Sequence, residues 1–160
     1  NEPLKICDGT VLGSWVDFNG HMADAYYGVV FSDAVTSFMN MIGMNAAYRE
    51  KTFNTIYTLE TRIVYRHECK VGQPFSVFLQ LLDLDQKRVH VFCKMTDTVS
   101  NVEFAWGEQL LLHTHQDPAH GPKSSAFEAL VMSTLEDIWK THKEIAVPDW
   151  VGGRIGIRRK

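Results

Sequence analysis

The chain has 160 residues, 45% of them hydrophobic and 11% aromatic, and a formal net charge of −3. A chain of this length is expected to bury one substantial core, so we expect residues 1–160 to form a single domain. The small net charge argues against a nucleic-acid partner, while the lack of a recognisable signal sequence or long apolar run argues against a membrane partner and predicts a cytoplasmic protein.

The first predicted elements are a strand and a long helix. Residues 10–16 have the pattern of a strand, and Asn19-Gly20 marks a tight turn after it. Apolar side chains then recur at helical spacing over residues 24–42, on so wide a face that the helix is expected to be largely buried. Asp24 is suited to the start of this helix, and Gly43 to its end.

The rest of the chain is predicted to be mainly β. A short helix at residues 45–51 precedes four long strand-like segments that we expect to form an antiparallel meander. An amphipathic helix follows near the C-terminus. The predicted strands are residues 55–66, 75–84, 88–96 and 102–115, and the C-terminal helix is residues 126–143.

This order of elements predicts the fold. The long helix would measure roughly 28 Å at 1.5 Å per residue, and a curved antiparallel sheet can wrap around it. The expected fold is therefore an α+β hotdog with an additional C-terminal helix. If side chains alternate regularly along residues 55–66, Tyr57 and Tyr65 lie on one face of the strand and Glu60 lies on the other. Glu60 and Thr61 are consecutive residues, so they point to different faces.

Asp17 is the candidate for chemistry because it lies between the first predicted strand and the long helix. Its carboxylate can sit beside the free backbone N–H groups of the first helical turn. For thioester hydrolysis, the N–H groups of Ala23 and Asp24 would polarise the carbonyl oxygen while Asp17 activates water or attacks the carbon directly. Gly20 lets the backbone and an acyl group approach closely.

The motif Asp17-x-x-Gly20-His21-Met22, followed by Tyr26-Tyr27 in a helix, resembles that of the 4-hydroxybenzoyl-CoA thioesterase family. The resemblance extends over about residues 10–115. It implies a hotdog fold, a catalytic carboxylate at Asp17 and a thioester oxygen bound at the helix N-terminus. Many members have two asparagines where this chain has Ala23 and Asp24, a departure that leaves a backbone role intact.

The resemblance also implies an oligomer. In this family the active site lies at a subunit interface, where two sheets meet through the strand predicted at residues 55–66. Glu60 or Thr61 is therefore expected to face the partner's Asp17. The chain should be at least a homodimer, with a homotetramer as the larger possibility.

Four further segments extend the resemblance to a subgroup, the betainyl-CoA thioesterases of carnitine breakdown. The segments are Tyr57-Thr58-Leu59-Glu60-Thr61, residues 85–90, residues 108–113 and Gly153-Arg154-Ile155. Such proteins occur alone or fused behind a carnitine dehydrogenase. The resemblance implies hydrolysis of betainyl-CoA to betaine and CoA, with a carnitine dehydrogenase as a fused or separate partner.

The betainyl group carries a quaternary ammonium, and aromatic faces bind such a cation best. Each contact contributes about 0.5 to 2 kcal/mol to binding, and a nearby carboxylate sometimes helps. Glu60 and Glu108 are the candidate carboxylates, and the turn residues Asn19 and Gly20 are candidate contacts to the substrate. His21 could orient Asp17, bind substrate or cap the turn. The aromatic candidates near the predicted pocket are Trp15, Tyr26, Tyr27, Phe31, Tyr57 and Trp106.

Plainer interpretations remain open for several of these features. Asp17 before Asn-Gly is a common turn device, and aromatic residues in a central helix usually belong to the core. The chain could also hydrolyse another short or aromatic acyl-CoA, or bind acyl-CoA without catalysis. Basic residues could contact CoA phosphates or form a solvated charge run, namely Lys87, Arg88, Arg154, Arg158, Arg159 and Lys160.

Cysteine and histidine spacing gives little sign of metal or disulfide chemistry. The three cysteines lack a C-x-x-C pair and are expected to be reduced. The pair His113-x-His115 shares a strand face, as a zinc site can require, but the chemistry inferred here needs no metal. We therefore expect neither a metal nor a cofactor.

Overall fold

The computed structural model describes residues 2–157 and Arg159. No helix in this part of the chain is long and apolar enough to span a membrane. The elements in chain order are β1 (Leu4–Thr10), a 3₁₀ turn (Gly13–Trp15), α1 (Asp24–Met41), α2 (Ala46–Thr52), β2 (Asn54–Tyr65), β3 (Pro74–Leu84), β4 (Arg88–Asp97), β5 (Glu103–Asp117), β6 (Gly121–Ser124) and α3 (Ala129–His142).

The six strands form one antiparallel sheet with the order β1-β3-β4-β5-β2, and β6 pairs with the end of β5. The α+β hotdog prediction is confirmed, since α1 packs on one face of this sheet and its Phe31, Ala34 and Phe38 are fully buried. The simple meander was wrong in one respect. Strand β2 pairs with β5 rather than with its sequence neighbour β3, so β2 forms an edge of the sheet.

Helix α1 begins and ends where the sequence pattern indicates. Asp24 is its first residue, and Gly43 has a φ of +92° just beyond its end. The N–H of Met44 donates to the carbonyl of Met39 at 2.8 Å, and that of Gly43 donates to Asn40 at 3.3 Å. This left-handed cap satisfies carbonyls that the helix cannot pair, and glycine adopts the conformation without strain.

The predicted strand at residues 10–16 is wrong. Strand β1 lies earlier, at Leu4–Thr10, and residues 13–15 form the 3₁₀ turn instead. Thr10 lies opposite Pro74, which is the first residue of β3, so the ladder runs out of partner residues there. The apolar pattern beyond Thr10 belongs to a segment that leaves the sheet on its way to α1.

A β-bulge at Leu59 divides β2 into halves whose side chains alternate in opposite phase. Thr58 lies opposite Leu111, whereas Glu60 lies opposite Leu110, so Leu59 has no partner on β5. One extra residue exchanges the two faces of a strand. The prediction that Tyr57 and Tyr65 share a face is therefore wrong: Tyr65 points toward α1, and Tyr57 points to the outer face, opposite α1.

The segment after α3 crosses the outer face of the sheet. Helix α3 itself packs beside β3, where the N–H of Leu81 donates to His142 Nδ1 at 2.9 Å. Further along, Arg62 of β2 donates to the carbonyls of Trp150 and Gly153, at 2.8 Å for Gly153. The C-terminal segment is thus fastened across the sheet from β3 to β2.

Gly107 on β5 permits the closest approach between the sheet and α1. A Cβ atom at this position would lie 3.0 Å from the ring of Phe31, which is itself fully buried. Gly107→Val should lower the free energy of unfolding by about 1–3 kcal/mol, because the core cannot accept the added atoms without moving the helix. Chemical denaturation would measure this change.

Gly28→Val is the matched control on α1, because a Cβ at Gly28 meets no atom within 4 Å. Its effect should stay within about 0.5 kcal/mol. Equal effects of the two substitutions would show that contact with Phe31 does not limit residue 107.

Candidate active site

Asp17 lies in a tight turn directly ahead of α1. The N–H of Asp17 donates to the carbonyl of His21 at 3.0 Å, and the N–H of Gly20 donates to the carbonyl of Asp17 at 3.0 Å. Val16 and Met22 form an antiparallel bridge on either side. Gly20 has a φ of +79°, which glycine adopts most easily, so the sequence Asn-Gly closes the turn as predicted.

The Asp17 carboxylate is exposed at the surface of this turn. Its Oδ1 accepts a hydrogen bond from the N–H of Asn19 at 2.9 Å. The second oxygen, Oδ2, has no partner within the part of the chain described. Asp17 is therefore a turn residue with one oxygen held and the other available to a reactant.

The first turn of α1 leaves the N–H of Asp24 free within the part of the chain described. The expectation that Ala23 supplies such a group is wrong, because its N–H donates to the carbonyl of Trp15 at 2.9 Å. The N–H of Ala25 donates to the Asp24 carboxylate at 2.9 Å, and that of Tyr26 donates to the carbonyl of Ala23 at 3.1 Å. The N–H of Asp24 has no acceptor among the described residues, so it can bind an oxyanion at the positive end of the helix.

His21 does not contact the Asp17 carboxylate. Its Nε2 lies 3.1 Å from the carboxylate of Glu68, and both side chains are partly or largely exposed. Sequence reasoning missed Glu68 because it lies 47 residues further along the chain, with no motif around it. The pair holds the turn against the segment between β2 and β3.

Tyr27 belongs to the core. It is 4% exposed, its hydroxyl is hydrogen-bonded to Cys69 Sγ at 3.3 Å, and its ring meets that of Tyr65 edge-on at 5.1 Å. Burial raises the pKa of Tyr27, and the contact with Cys69 raises it further, so the hydroxyl stays neutral. Tyr27 therefore packs beneath the start of α1 as a core residue. The structure does not place it where it was predicted to contact the substrate.

A pocket of about 270 Å³ lies between β1, the 3₁₀ turn and α1, and we call it the β1–α1 pocket. Trp15 and Phe75 form its aromatic walls, with their ring centroids 6.2 Å apart. Tyr26 stacks on the far side of Trp15 at 6.1 Å. The Trp15 carbonyl accepts the Ala23 N–H, so the backbone of this aromatic wall is joined to the residue directly before α1.

The β1–α1 pocket is electronegative. Asp8 and Asp33 line it, and Asp33 has no hydrogen bond or ion pair with any described residue. A hydrogen bond from Ser76 at 2.6 Å and the neighbouring Lys5 hold the pKa of Asp8 below its ordinary value. Burial, followed by the negative charges of Asp8 and Asp33, raises the pKa of the Cys7 thiol. No local sequence pattern indicates that these groups converge.

The structure does not bring Trp106 or Tyr57 to the Asp17 turn. Trp106 neighbours the inward-facing Gly107, so it points to the outer face, where its ring stacks on Trp150 at 5.3 Å. Tyr57 points to the same face because of the bulge, and its hydroxyl accepts a hydrogen bond from Gln116 at 2.7 Å. Within one protomer, neither aromatic ring can contact a group bound at Asp17.

Glu60 and Thr61 lie on the exposed edge strand β2. Glu60 faces outward into a cavity of about 200 Å³ that Glu108 and His90 also line. Thr61 faces the opposite way, across from Gln109. Neither residue approaches the Asp17 turn of its own protomer, so their predicted role depends on a partner subunit and stays a prediction.

The comparisons with known proteins agree that this chain is a thioesterase. The profile of the thioesterase-like superfamily matches residues 11–154, and the chain belongs to this family. It is an acyl-CoA thioesterase, that is, a thioester hydrolase. A putative thioesterase from Pseudomonas putida has the same fold, with a TM-score of 0.81, 30% identity and 99% of each chain covered.

More specific relatives share nearly the whole chain. The betainyl-CoA thioesterase of Pseudomonas aeruginosa is 38% identical, over 98% of this chain and 97% of the relative. The L-carnitine dehydrogenase/betainyl-CoA thioesterase of Rhizobium meliloti is 37% identical, over 98% of this chain but 31% of that longer relative. A hypothetical protein from Staphylococcus aureus, solved in complex with CoA, gives a TM-score of 0.87 at 29% identity, with 99% and 98% covered.

The free N–H of Asp24 can be tested by proline. Position 24 is the first of α1, where proline is well tolerated, and Ala23 before it has the extended conformation that proline requires, with ψ at 147°. Asp24→Pro should keep the fold but lower kcat about 10²- to 10³-fold, the usual cost of one lost oxyanion donor. Steady-state thioester hydrolysis would measure it.

Asp24→Ala is the matched control for this variant, since it removes the carboxylate and keeps the N–H. It should retain most of the activity. If both variants lost activity equally, the carboxylate would be the functional group and the oxyanion role of the backbone would be excluded.

Proposed function

We propose that this thioesterase hydrolyses betainyl-CoA to betaine and CoA, as in carnitine breakdown. The observation that carries the proposal is the β1–α1 pocket, which combines aromatic walls with the carboxylates of Asp8 on β1 and Asp33 on α1. The names of the relatives from Pseudomonas aeruginosa and Rhizobium meliloti support the same substrate.

The trimethylammonium end of a betainyl group has a distinctive chemistry. It carries a full positive charge but offers no hydrogen-bond donor, so a protein recognises it through aromatic faces and nearby negative charge. Trp15 and Phe75 provide the faces, and Asp33 provides a carboxylate without a competing partner among the described residues. Tyr26 stabilises the orientation of Trp15 by stacking on it.

The proposed chemistry uses Asp17 and the N–H of Asp24. The thioester oxygen accepts the Asp24 N–H, which stabilises the negative charge that develops when the carbonyl carbon is attacked. Asp17 either removes a proton from an attacking water or attacks the carbon itself to form an anhydride, which water then hydrolyses to betaine and free Asp17. In both routes the C–S bond breaks and CoA leaves as a thiolate that takes up a proton. The hydrogen bond from Asn19 fixes the carboxylate without occupying its second oxygen.

We also propose a homodimer, with a homotetramer as a larger assembly, joined through β2. This strand is a sheet edge, and its residues Thr58, Leu59, Glu60 and Thr61 are all exposed. An exposed edge strand of this kind is a ready site for pairing with a second copy. Pairing there would bring Glu60 or Thr61 toward the partner's Asp17.

The setting of the reaction follows from the same relatives. We propose a carnitine dehydrogenase as the functional partner, fused or separate, because several relatives combine both activities in one chain. A cytoplasmic location is proposed as well. The three cysteines, Cys7, Cys69 and Cys93, are free thiols, which suits a reducing compartment.

Asp17→Asn tests whether the chain is a catalyst or a binding module. Asparagine keeps a side-chain oxygen that can accept the Asn19 N–H, so the turn should survive. Turnover of betainyl-CoA should fall by about 10²- to 10⁴-fold because the general base or nucleophile is lost. Unchanged turnover in a folded variant would rule out the proposed role of Asp17.

A neutral isostere tests the acyl specificity. In 3,3-dimethylbutanoyl-CoA a carbon replaces the quaternary nitrogen, so the shape is kept and the charge is lost. The protein should prefer betainyl-CoA in kcat/KM by about 2- to 30-fold for each aromatic contact of about 0.5 to 2 kcal/mol. Equal kcat/KM values for the two thioesters would refute the betainyl assignment and leave another short acyl-CoA as the substrate.

Two variants locate the source of this preference. Trp15→Leu removes an aromatic wall, and Asp33→Asn removes an exposed negative charge at constant size. Each should reduce the preference for the cationic substrate while changing hydrolysis of the neutral isostere much less. Asp137→Asn, on the exposed face of α3 and paired with Lys140, is the matched control for charge.

A further inference from the structure

A second concave surface lies along the C-terminal half of β2. This groove, which we call the β2 groove, has a volume of about 380 Å³ and runs between β2, Trp106, Trp150 and the chain after Trp150. Among the described residues, Arg62, Arg66 and Arg154 line it and no acidic side chain does. Its chemistry is therefore opposite to that of the β1–α1 pocket, and the proposed catalytic steps do not use it.

Arg62 builds the β2 groove and is not free to bind a ligand. Its guanidinium donates to the carbonyls of Trp150 and Gly153 and lies 4.4 Å over the Trp150 ring. It also lies 3.3 Å from the Glu108 carboxylate, and both of these charged side chains are largely buried. The role of Arg62 is to fasten the C-terminal segment that forms one wall.

Arg66 is held in place while its donors stay free. Its guanidinium lies 4.3 Å over the ring of Trp106, and it makes no side-chain hydrogen bond or ion pair within the described chain. The nearby Glu103 is already engaged by Lys94 at 2.9 Å and by Trp106 Nε1 at 2.7 Å. A guanidinium fixed on an aromatic face with unused N–H groups is well suited to bind a phosphate.

The charge on Glu103 is consistent with this arrangement. Burial raises its pKa, but hydrogen bonds from Lys94 and Trp106 and the positive charges of Lys94 and Arg66 outweigh burial and hold the pKa below its ordinary value. Glu103 therefore stays ionised and paired with Lys94. It contributes to the field around Arg66 without occupying the Arg66 donors.

Arg154 supplies a second free cation at the other wall. Its side chain is exposed, and it has no hydrogen bond or ion pair with the residues the structure describes. Of the remaining basic tail, Arg158 and Lys160 lie outside the described residues. The β2 groove thus has two arginines unpaired within the described chain, Arg66 directly after β2 and Arg154 on the tail.

The β2 groove opens close to the candidate active site. Tyr65, the last residue of β2, donates from its hydroxyl to the carbonyl of Asp24 at 3.4 Å. Arg66 is the next residue, so the same end of β2 meets the start of α1 on one side and the groove on the other. A long flexible arm that leaves the reaction centre can pass around this end of the strand.

We infer that the β2 groove binds the phosphate groups of the CoA nucleotide, with Arg66 as the main phosphate ligand and Arg154 as the second. CoA joins its thiol to a multiply charged nucleotide through the flexible pantetheine arm, which matches a reactive end at α1 and an arginine site around the strand. The inference rests on the proposed function only in taking a CoA thioester as the substrate.

Binding of CoA and of pantetheine, which lacks the nucleotide, tests the inference directly. Calorimetry on the full chain should show that Arg66→Ala weakens CoA binding by about tenfold or more and leaves pantetheine binding unchanged, since charge-assisted bonds to phosphate are lost. Arg66→Ala combined with Arg154→Ala should weaken CoA binding further. Lys140→Ala, which removes an exposed cation paired with Asp137 on α3, is the matched control and should have no effect.

Kinetics give the corresponding measurement. Arg66→Ala should raise KM for betainyl-CoA and leave kcat/KM for the betainyl thioester of N-acetylcysteamine unchanged. Equal losses on both thioesters, or a changed oligomeric mass in sedimentation, would overturn the inference and assign the groove to a subunit contact. Unchanged CoA binding in the double variant would overturn it as well.

Failure of the proposed function can be distinguished from failure of the phosphate site. If the wild-type chain bound CoA through Arg66 but did not hydrolyse betainyl-CoA, the substrate assignment would fail while the phosphate site stood. The binding experiment needs no turnover and so decides the inference in either case.

Discussion

The burial of α1 against the sheet is the constraint on which the rest of the structure depends. Phe31 can reach Gly107 only because that residue lacks a side chain, and this contact fixes how closely the helix approaches the sheet. The first N–H groups of any helix lack internal partners. Here the N–H groups of Ala23, Ala25 and Tyr26 are accepted by the Trp15 carbonyl, the Asp24 carboxylate and the Ala23 carbonyl, and the N–H of Asp24 has no acceptor among the described residues. The candidate active site consists of that donor and the turn before it.

Opposite charges are separated on the two sides of this site. The β1–α1 pocket collects carboxylates and aromatic rings, whereas the β2 groove collects arginines on aromatic rings. A betainyl-CoA molecule has the same division, with a cation at its acyl end and phosphates at its nucleotide end. The formal net charge of −3 does not reveal this separation. The same net charge results whether charged residues are spread evenly over the surface or grouped by sign.

Local patterns predicted α1, its glycine cap and the strands β3 and β4 well, because helical spacing and turn residues act over a few positions. The errors arose where register depends on distant partners. The bulge at Leu59 exchanged the faces of β2, so Tyr57 and Glu60 lie away from α1. Phe75 and Glu68 were missed because only the folded sheet brings them to Trp15 and His21. The Asp17 turn needed no such information, since its contacts lie within four residues.

The two sites also differ in when they can form during synthesis. The Asp17 turn closes through bonds between neighbouring residues, so it can form as soon as that segment is available. The β2 groove needs Arg62 to meet Gly153, which lies 91 residues further along the chain. Contacts of such separation form late, and only after the C-terminal segment has been made. A nascent chain would therefore possess its reactive turn before it possessed the wall that holds Arg154, and full affinity for CoA would arrive last.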